Sequence, residues 1–162
     1  MSEIDLNALK TELMQPKLST DQCNARIEAL SEALSQLTDG QVAQTLREHY
    51  RQDVYFKDPF NETRGLPKLI QIWQDRFRRL PDAQLRCHLH ACNGDTAYIE
   101  WRLIHSEGGR PVQRNGISKL LLDENGKVRV QMDYWDSGEH FYQRLPLIGG
   151  LMRWLADRQR AN

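Results

Sequence analysis

The apolar residues of this chain change their period near Pro81, from three-to-four to two, and that switch rules out most architectures. Before it, Ile27, Leu30, Leu34 and Leu37 recur at helical spacing, with Ser19, Thr20 and Asp21 available as caps and Asp39-Gly40 as a stop. Val42, Leu46 and Tyr50 mark a second helix, and Asp53-Val54-Tyr55-Phe56-Lys57-Asp58 begins as a short strand that Pro59 stops. Gly65-Leu66-Pro67 opens a third helix, whose apolar stripe is Leu69, Ile70, Trp73, Phe77 and Leu80. After Pro81, four long segments at 83–92, 96–105, 112–122 and 127–136 read as strands separated by glycine-bearing turns. Three helices and then an antiparallel meander predict an α+β fold, with the helices on one face of a curved sheet. Such a layer leaves a cone whose wide end can hold a small molecule.

Size and charge narrow the function classes. A chain of 162 residues with 40% hydrophobic content fits one domain with a real core. Lys plus Arg and Asp plus Glu both number 22, a balance that excludes a whole-surface nucleic-acid binder. No apolar run approaches the length of a membrane-spanning helix. Met1-Ser2-Glu3-Ile4-Asp5 has neither a basic nor an apolar leader region, so a cytoplasmic location is expected. In that compartment Cys23, Cys87 and Cys92 read as free thiols.

Several elements together resemble the ketosteroid-isomerase-like superfamily, which includes nuclear transport factor two, the SnoaL-type polyketide cyclases and the limonene epoxide hydrolases. The matching features are the helix pair before Asp39-Gly40, Val54-Tyr55-Phe56-Lys57-Asp58-Pro59, and Gly65 opening a helix with Trp73 and Phe77. They continue through the strand around Trp101 to Ile117-Ser118-Lys119-Leu120-Leu121-Leu122 and Gly126-Lys127-Val128. The resemblance implies a cone-shaped, curved antiparallel sheet wrapped by three helices (a cystatin-like α+β barrel). It divides the chain into a leader at 1–19, a SnoaL-like domain at 20–137 and a C-terminal extension at 138–162. The fold hosts enzymes, binding modules and assembly domains alike.

Carried over residue by residue, the resemblance puts Asp58 where ketosteroid isomerases hold their proton-shuttling base. Their oxyanion-hole aspartate and tyrosine correspond to Ser118 and to a position near Leu34, so the base is kept and the oxyanion hole is not. The same alignment turns Trp101, Leu103 and His105 inward, then Gly116, Ser118 and Leu120, then Arg129, Gln131, Asp133 and Trp135. The opposite set on the last strand, Val128, Val130, Met132 and Tyr134, is apolar enough to suggest a homodimer through the outer face of the sheet.

Asp58 and Asp133 are the candidate catalytic pair, since two carboxyls in one apolar cavity raise at least one pKa. Asp58 reads equally as a turn residue ahead of Pro59, and Asp133 as a solvated or salt-bridged strand carboxylate. Tyr50, Trp73, Phe77, Trp101, Leu103, Ser118, Arg129, Gln131 and Trp135 are the candidate substrate-binding residues, the aromatics reading equally as core. Asp58, Arg129 and Asp133 also resemble the Asp-Arg-Asp set of limonene epoxide hydrolases, against a simple Arg129–Asp133 ion pair. In Cys87-His88-Leu89-His90-Ala91-Cys92 the strand period puts His88, His90 and Cys92 on one face, but no fourth ligand offers itself and no metal is expected.

Residues 138–160 return to a helical pattern, with a stripe of Leu147, Ile148, Leu151, Met152 and Leu155 and a basic excess from Arg144, Arg153, Arg158 and Arg160. An amphipathic helix packed on protein is expected there, the other reading being a peripheral membrane contact through 145–160. The first functional reading is a small cofactor-independent enzyme of isomerase, cyclase or hydrolase type acting on a hydrophobic carbonyl- or epoxide-bearing molecule. The second is a non-catalytic module that binds a lipophilic ligand or a partner protein in the same cone.

Overall fold

A computed structural model describes residues 18–135. The expected leader and the C-terminal amphipathic helix, with its lid or membrane role, fall mostly or wholly outside these residues. Three helices precede the long strands: α1 (Thr20–Ser35), α2 (Val42–His49) and α3 (Leu66–Arg79). Ser19 caps α1 through a reciprocal pair: its Oγ accepts from Gln22 N at 3.2 Å and its N–H donates to Gln22 Oε1 at 3.0 Å. The helix stops at Ser35, short of Asp39-Gly40, and a single 3₁₀ turn at Asp39–Gln41 leads into α2. Leu37 still reaches the core from that connection.

The strands are β1 (Tyr50–Lys57), β2 (Glu62–Arg64), β3 (Gln84–Asn93), β4 (Thr96–Glu107), β5 (Arg110–Leu122) and β6 (Val128–Trp135). Their order in the sheet is β2-β1-β6-β5-β4-β3. β3 to β6 form the expected antiparallel meander. The sheet as a whole is mixed rather than antiparallel, because β1 pairs with β6 in parallel. The reason is topological: α3 and three hairpins separate the two strands, so they meet as neighbours without a tight turn to reverse them. Tyr50, placed on the second helix by its spacing, is the first residue of β1.

All three helices lie on the concave face of the sheet. Ile27, Leu30, Leu46, Leu69 and Trp73 from the helices meet Phe56, Ile99, Leu120 and Leu122 from the strands in one core. A fully buried side chain of this kind stabilises the fold by about 1.5–3 kcal/mol. A second cluster of Tyr55, Leu121 and Val130, with Met132 against it, lies apart from this core.

Two register shifts change which face a residue uses. Between Leu121 and Leu122 the pairing moves from Val130 to Val128, so Val128 belongs to the main core and not to the outer set. Of the expected outer residues Val130 is also buried, Met132 is half-buried, and Tyr134 is 58% exposed. Between Cys87 and Leu89 a second shift turns both Cys87 and Cys92 toward the core, while His88 and His90 stay exposed. His90 and Cys92 keep a common side of the strand, opposite Ile99 and Ala97, and the shift brings Cys87, which was expected to point away, onto that same side.

Candidate active site

A cavity opens between the helices and the concave face of the sheet. Tyr50 at the start of β1, Trp73 and Arg76 on α3, and Leu85 and Cys87 on β3 form part of its wall. Ile99, Trp101 and Leu103 from β4, Ser118 and Leu120 from β5, Gln131 and Asp133 from β6, and Leu34 from α1 complete it. Counting its open mouth, its empty volume is about 420 Å³. Its closed end is narrow, with room on the order of one water.

Asp133 is the centre of a hydrogen-bonded relay. Ser118 Oγ donates to Asp133 Oδ1 at 2.6 Å, and Trp101 Nε1 donates to Ser118 Oγ at 2.9 Å. From the other side Gln131 Nε2 donates to the same Oδ1 at 2.8 Å, and the Tyr50 hydroxyl donates to Gln131 Oε1 at 2.7 Å. Each outer donor fixes the inner one: Trp101 occupies a lone pair of Ser118 so that its proton points at Asp133, and Tyr50 fixes which end of the Gln131 amide faces the carboxyl. Oδ2 accepts no hydrogen bond among the described residues.

Burial pushes the Asp133 carboxyl above the ordinary carboxylate range. The bonds from Ser118 and Gln131 and the nearby charge of Arg76 pull the other way, and Asp58 adds a weaker upward push. Burial also raises the Tyr50 hydroxyl, so it stays protonated and keeps donating to Gln131. The Cys87 thiol is likewise raised by burial and is no thiolate nucleophile.

Asp58 is buried but does not line the cavity. Its Oδ1 accepts from Phe60 N at 2.8 Å, Asn61 N at 2.7 Å and Asn61 Nδ2 at 3.0 Å, closing the turn after Pro59. Its Oδ2 meets Arg76 Nη2 at 3.4 Å. Arg76 also lies over the Trp73 ring, 4.9 Å from its centroid. The arginine associated with both acids is therefore Arg76 on α3, where Arg129 was the candidate from the sequence. Arg129 sits at the β5–β6 register shift and is not part of the cavity wall.

Tyr50, Trp73, Trp101, Leu103, Ser118, Gln131 and Asp133 thus meet around one space. Phe77 packs one helical turn beyond Trp73 against the core, outside that wall. Trp135 lies near the end of the sheet with its ring edge-on to Phe60 at 5.2 Å, and Arg114 stands 6.0 Å from its centroid. Arg76 was missed in the sequence although it follows Trp73 by three on a helix, which places both on one face.

A family model for the SnoaL-like domain matches residues 28–131. The chain belongs to the SnoaL-like domain family. The matched span includes every residue of the cavity wall except Asp133, which lies two residues past its end. Among solved structures, a protein described as a SnoaL-like polyketide cyclase from Jannaschia sp. CCS1 superposes with a TM-score of 0.62 at 16% identity, covering 72% of this chain and 87% of that one. An Agrobacterium tumefaciens protein, described as an isomerase of the SnoaL-like family, gives 0.60 at 15% identity, with coverages of 72% and 98%. An LEH-like epoxide hydrolase from M. tuberculosis gives 0.60 at 19% identity, with coverages of 86% and 96%. At these identities the likeness is one of fold. No curated protein matches the sequence. Among the described residues no helix is long and apolar enough to cross a membrane.

Proposed function

We propose that this SnoaL-like protein is a small cofactor-independent enzyme that moves a proton on a hydrophobic carbonyl- or epoxide-bearing molecule, with Asp133 as the acid–base group. The observation that carries this reading is the asymmetry of Asp133. Two donors converge on Oδ1, while among the described residues Oδ2 has none, and burial raises the carboxyl above the ordinary carboxylate range. A proton taken from substrate carbon would reside on Oδ2, its electron pair would pass to the substrate oxygen, and the proton would return to a second carbon. Isomerisation and aldol-type cyclisation share that first step. With an epoxide, Asp133 would instead take a proton from water as the water oxygen attacks carbon and the C–O bond breaks, and that proton would then pass from Asp133 to the alkoxide left behind, giving the diol. Asp58 holds Arg76 in place and has no part in proton transfer.

The competing reading is a binding module without chemistry. Leu34 favours it, since the cavity carries an alkyl group where the resemblance to ketosteroid isomerases calls for a phenol. A panel of alicyclic enones and epoxides, assayed with the full chain and with Asp133→Asn and Asp58→Asn, separates the two. The enzyme reading expects turnover that Asp133→Asn abolishes and Asp58→Asn largely keeps. Binding without turnover in all three proteins supports the module, and turnover that survives Asp133→Asn refutes the proposed role.

A further inference from the structure

We propose that the indole N–H of Trp73 is the hydrogen-bond donor that receives an acceptor oxygen of the bound molecule. The inference rests on the small-molecule reading of the cavity but not on its chemistry. Trp73 lines the cavity and is only 3% exposed, yet among the described residues its buried Nε1 has no acceptor. An indole N–H is a donor only, and a buried donor left unmade is costly, so native proteins rarely keep one without a purpose.

The other polar groups of the wall are engaged with one another. Tyr50, Gln131, Asp133, Ser118 and Trp101 form one continuous relay, in which every N–H or O–H of Trp101, Ser118 and Tyr50 has its acceptor. On α3 the situation is reversed. Trp73 has an unused donor, and Arg76, stacked 4.9 Å from its ring centroid, spends one Nη2 contact on Asp58. The site therefore has a donor wall on the helix and an acceptor, Asp133 Oδ2, on the sheet. A hydrocarbon satisfies neither. A neutral apolar molecule with one acceptor oxygen, such as a ketone, ester or epoxide, satisfies the helix wall. This also supplies a donor for developing charge on oxygen, although Leu34 and Ser118 do not reproduce the oxyanion hole of ketosteroid isomerases.

The test uses the full chain with its four tryptophans labelled at the indole nitrogen, observed by proton–nitrogen NMR. Trp73→Phe assigns the resonance, and if that variant does not fold, through-space contacts from the indole N–H to Leu34 and Leu85 methyl groups assign it in the unaltered protein. The probes are cyclohexanone and 2-decalone, against methylenecyclohexane and decalin. The ketones should move the Trp73 N–H downfield, the hydrocarbons should not, and Trp73→Phe should weaken ketone binding about 2- to 10-fold. Equal shifts from ketones and hydrocarbons, a ketone response confined to other tryptophans, or no response up to the solubility limit would each overturn the assignment. Failure of the proposed reaction looks different: the ketone shift persists while turnover is absent.

Discussion

The six-membered ring of Trp101 occupies the space that a side chain at Gly116 would need. The two residues face each other across β4 and β5, and a Cβ at 116 would stand 2.8 Å from Trp101 Cε2 and closer still to Cζ2 and Cη2. The missing side chain lets the indole cross β5 and reach Ser118 Oγ two residues on, where it orients the hydroxyl toward Asp133.

Gly116→Ala should therefore dislodge Trp101 and break the outer step of the relay. Overpacking of this kind costs about 1–3 kcal/mol. A domain of this size loses about 2–4 °C in melting temperature per kcal/mol. Thermal unfolding and tryptophan fluorescence read the two effects. An unchanged melting temperature together with an unchanged emission spectrum would show that the ring can move aside freely.

Asp133→Asn should abolish turnover and yet stabilise the fold, increasingly so as pH rises. The folded-state pKa of Asp133 is raised, so the folded chain holds this proton at pH values where the unfolded chain has released it. Stability from this group is full below the ordinary carboxylate pKa and is lost as pH rises through the folded value. The asparagine does not titrate and still accepts from Ser118 and Gln131. The melting-temperature difference between variant and parent should grow as pH rises above the ordinary carboxylate range. A difference that is flat with pH would contradict the raised carboxyl.

Ser118→Ala removes a donor that favours the ionised form of Asp133. The carboxyl should titrate higher still, followed through its side-chain carbon resonance. Any pH–rate profile limited by ionised Asp133 should move its acid limb upward in step. A downward move would mean that the hydroxyl favours the protonated acid.

A homodimer through the convex face is proposed with a smaller patch than the sequence suggested. Ile117 and Tyr134 are paired across β5 and β6 and are 48% and 58% exposed, beside the small cluster of Tyr55, Leu121 and Val130. Tyr134→Arg should shift the sedimentation of the full chain toward monomer at micromolar concentration. If the unaltered chain already sediments as one 18.9 kDa species, the dimer is excluded under those conditions.

Local chemistry made the elements legible. Period-two alternation set the faces of β4, which is enough to assign Ile99, Trp101 and Leu103 to the concave side. A cap within Ser19-Thr20-Asp21, the Pro59 stop and the Gly65-Leu66-Pro67 start were readable because each acts within a few residues of itself, and the structure selects Ser19 as the cap. Ser118, Leu120, Gln131 and Asp133 were turned inward by the family resemblance.

Tertiary structure decided what parity and spacing do not contain. The parallel seam between β1 and β6 joins strands more than seventy residues apart, and no local signal encodes such a pairing. A register shift is invisible to a strict period of two, so Val128, Arg129 and Cys87 were assigned faces that a single inserted residue changed. Asp58 and Asp133 look alike as letters. Their difference arises because backbone amides of the Pro59 turn surround one carboxyl, while an apolar cavity with two side-chain donors surrounds the other. Sequence determines which groups are present and how each short segment folds. Their ionisation and partners depend on desolvation and on neighbours distant along the chain, which only the assembled core supplies.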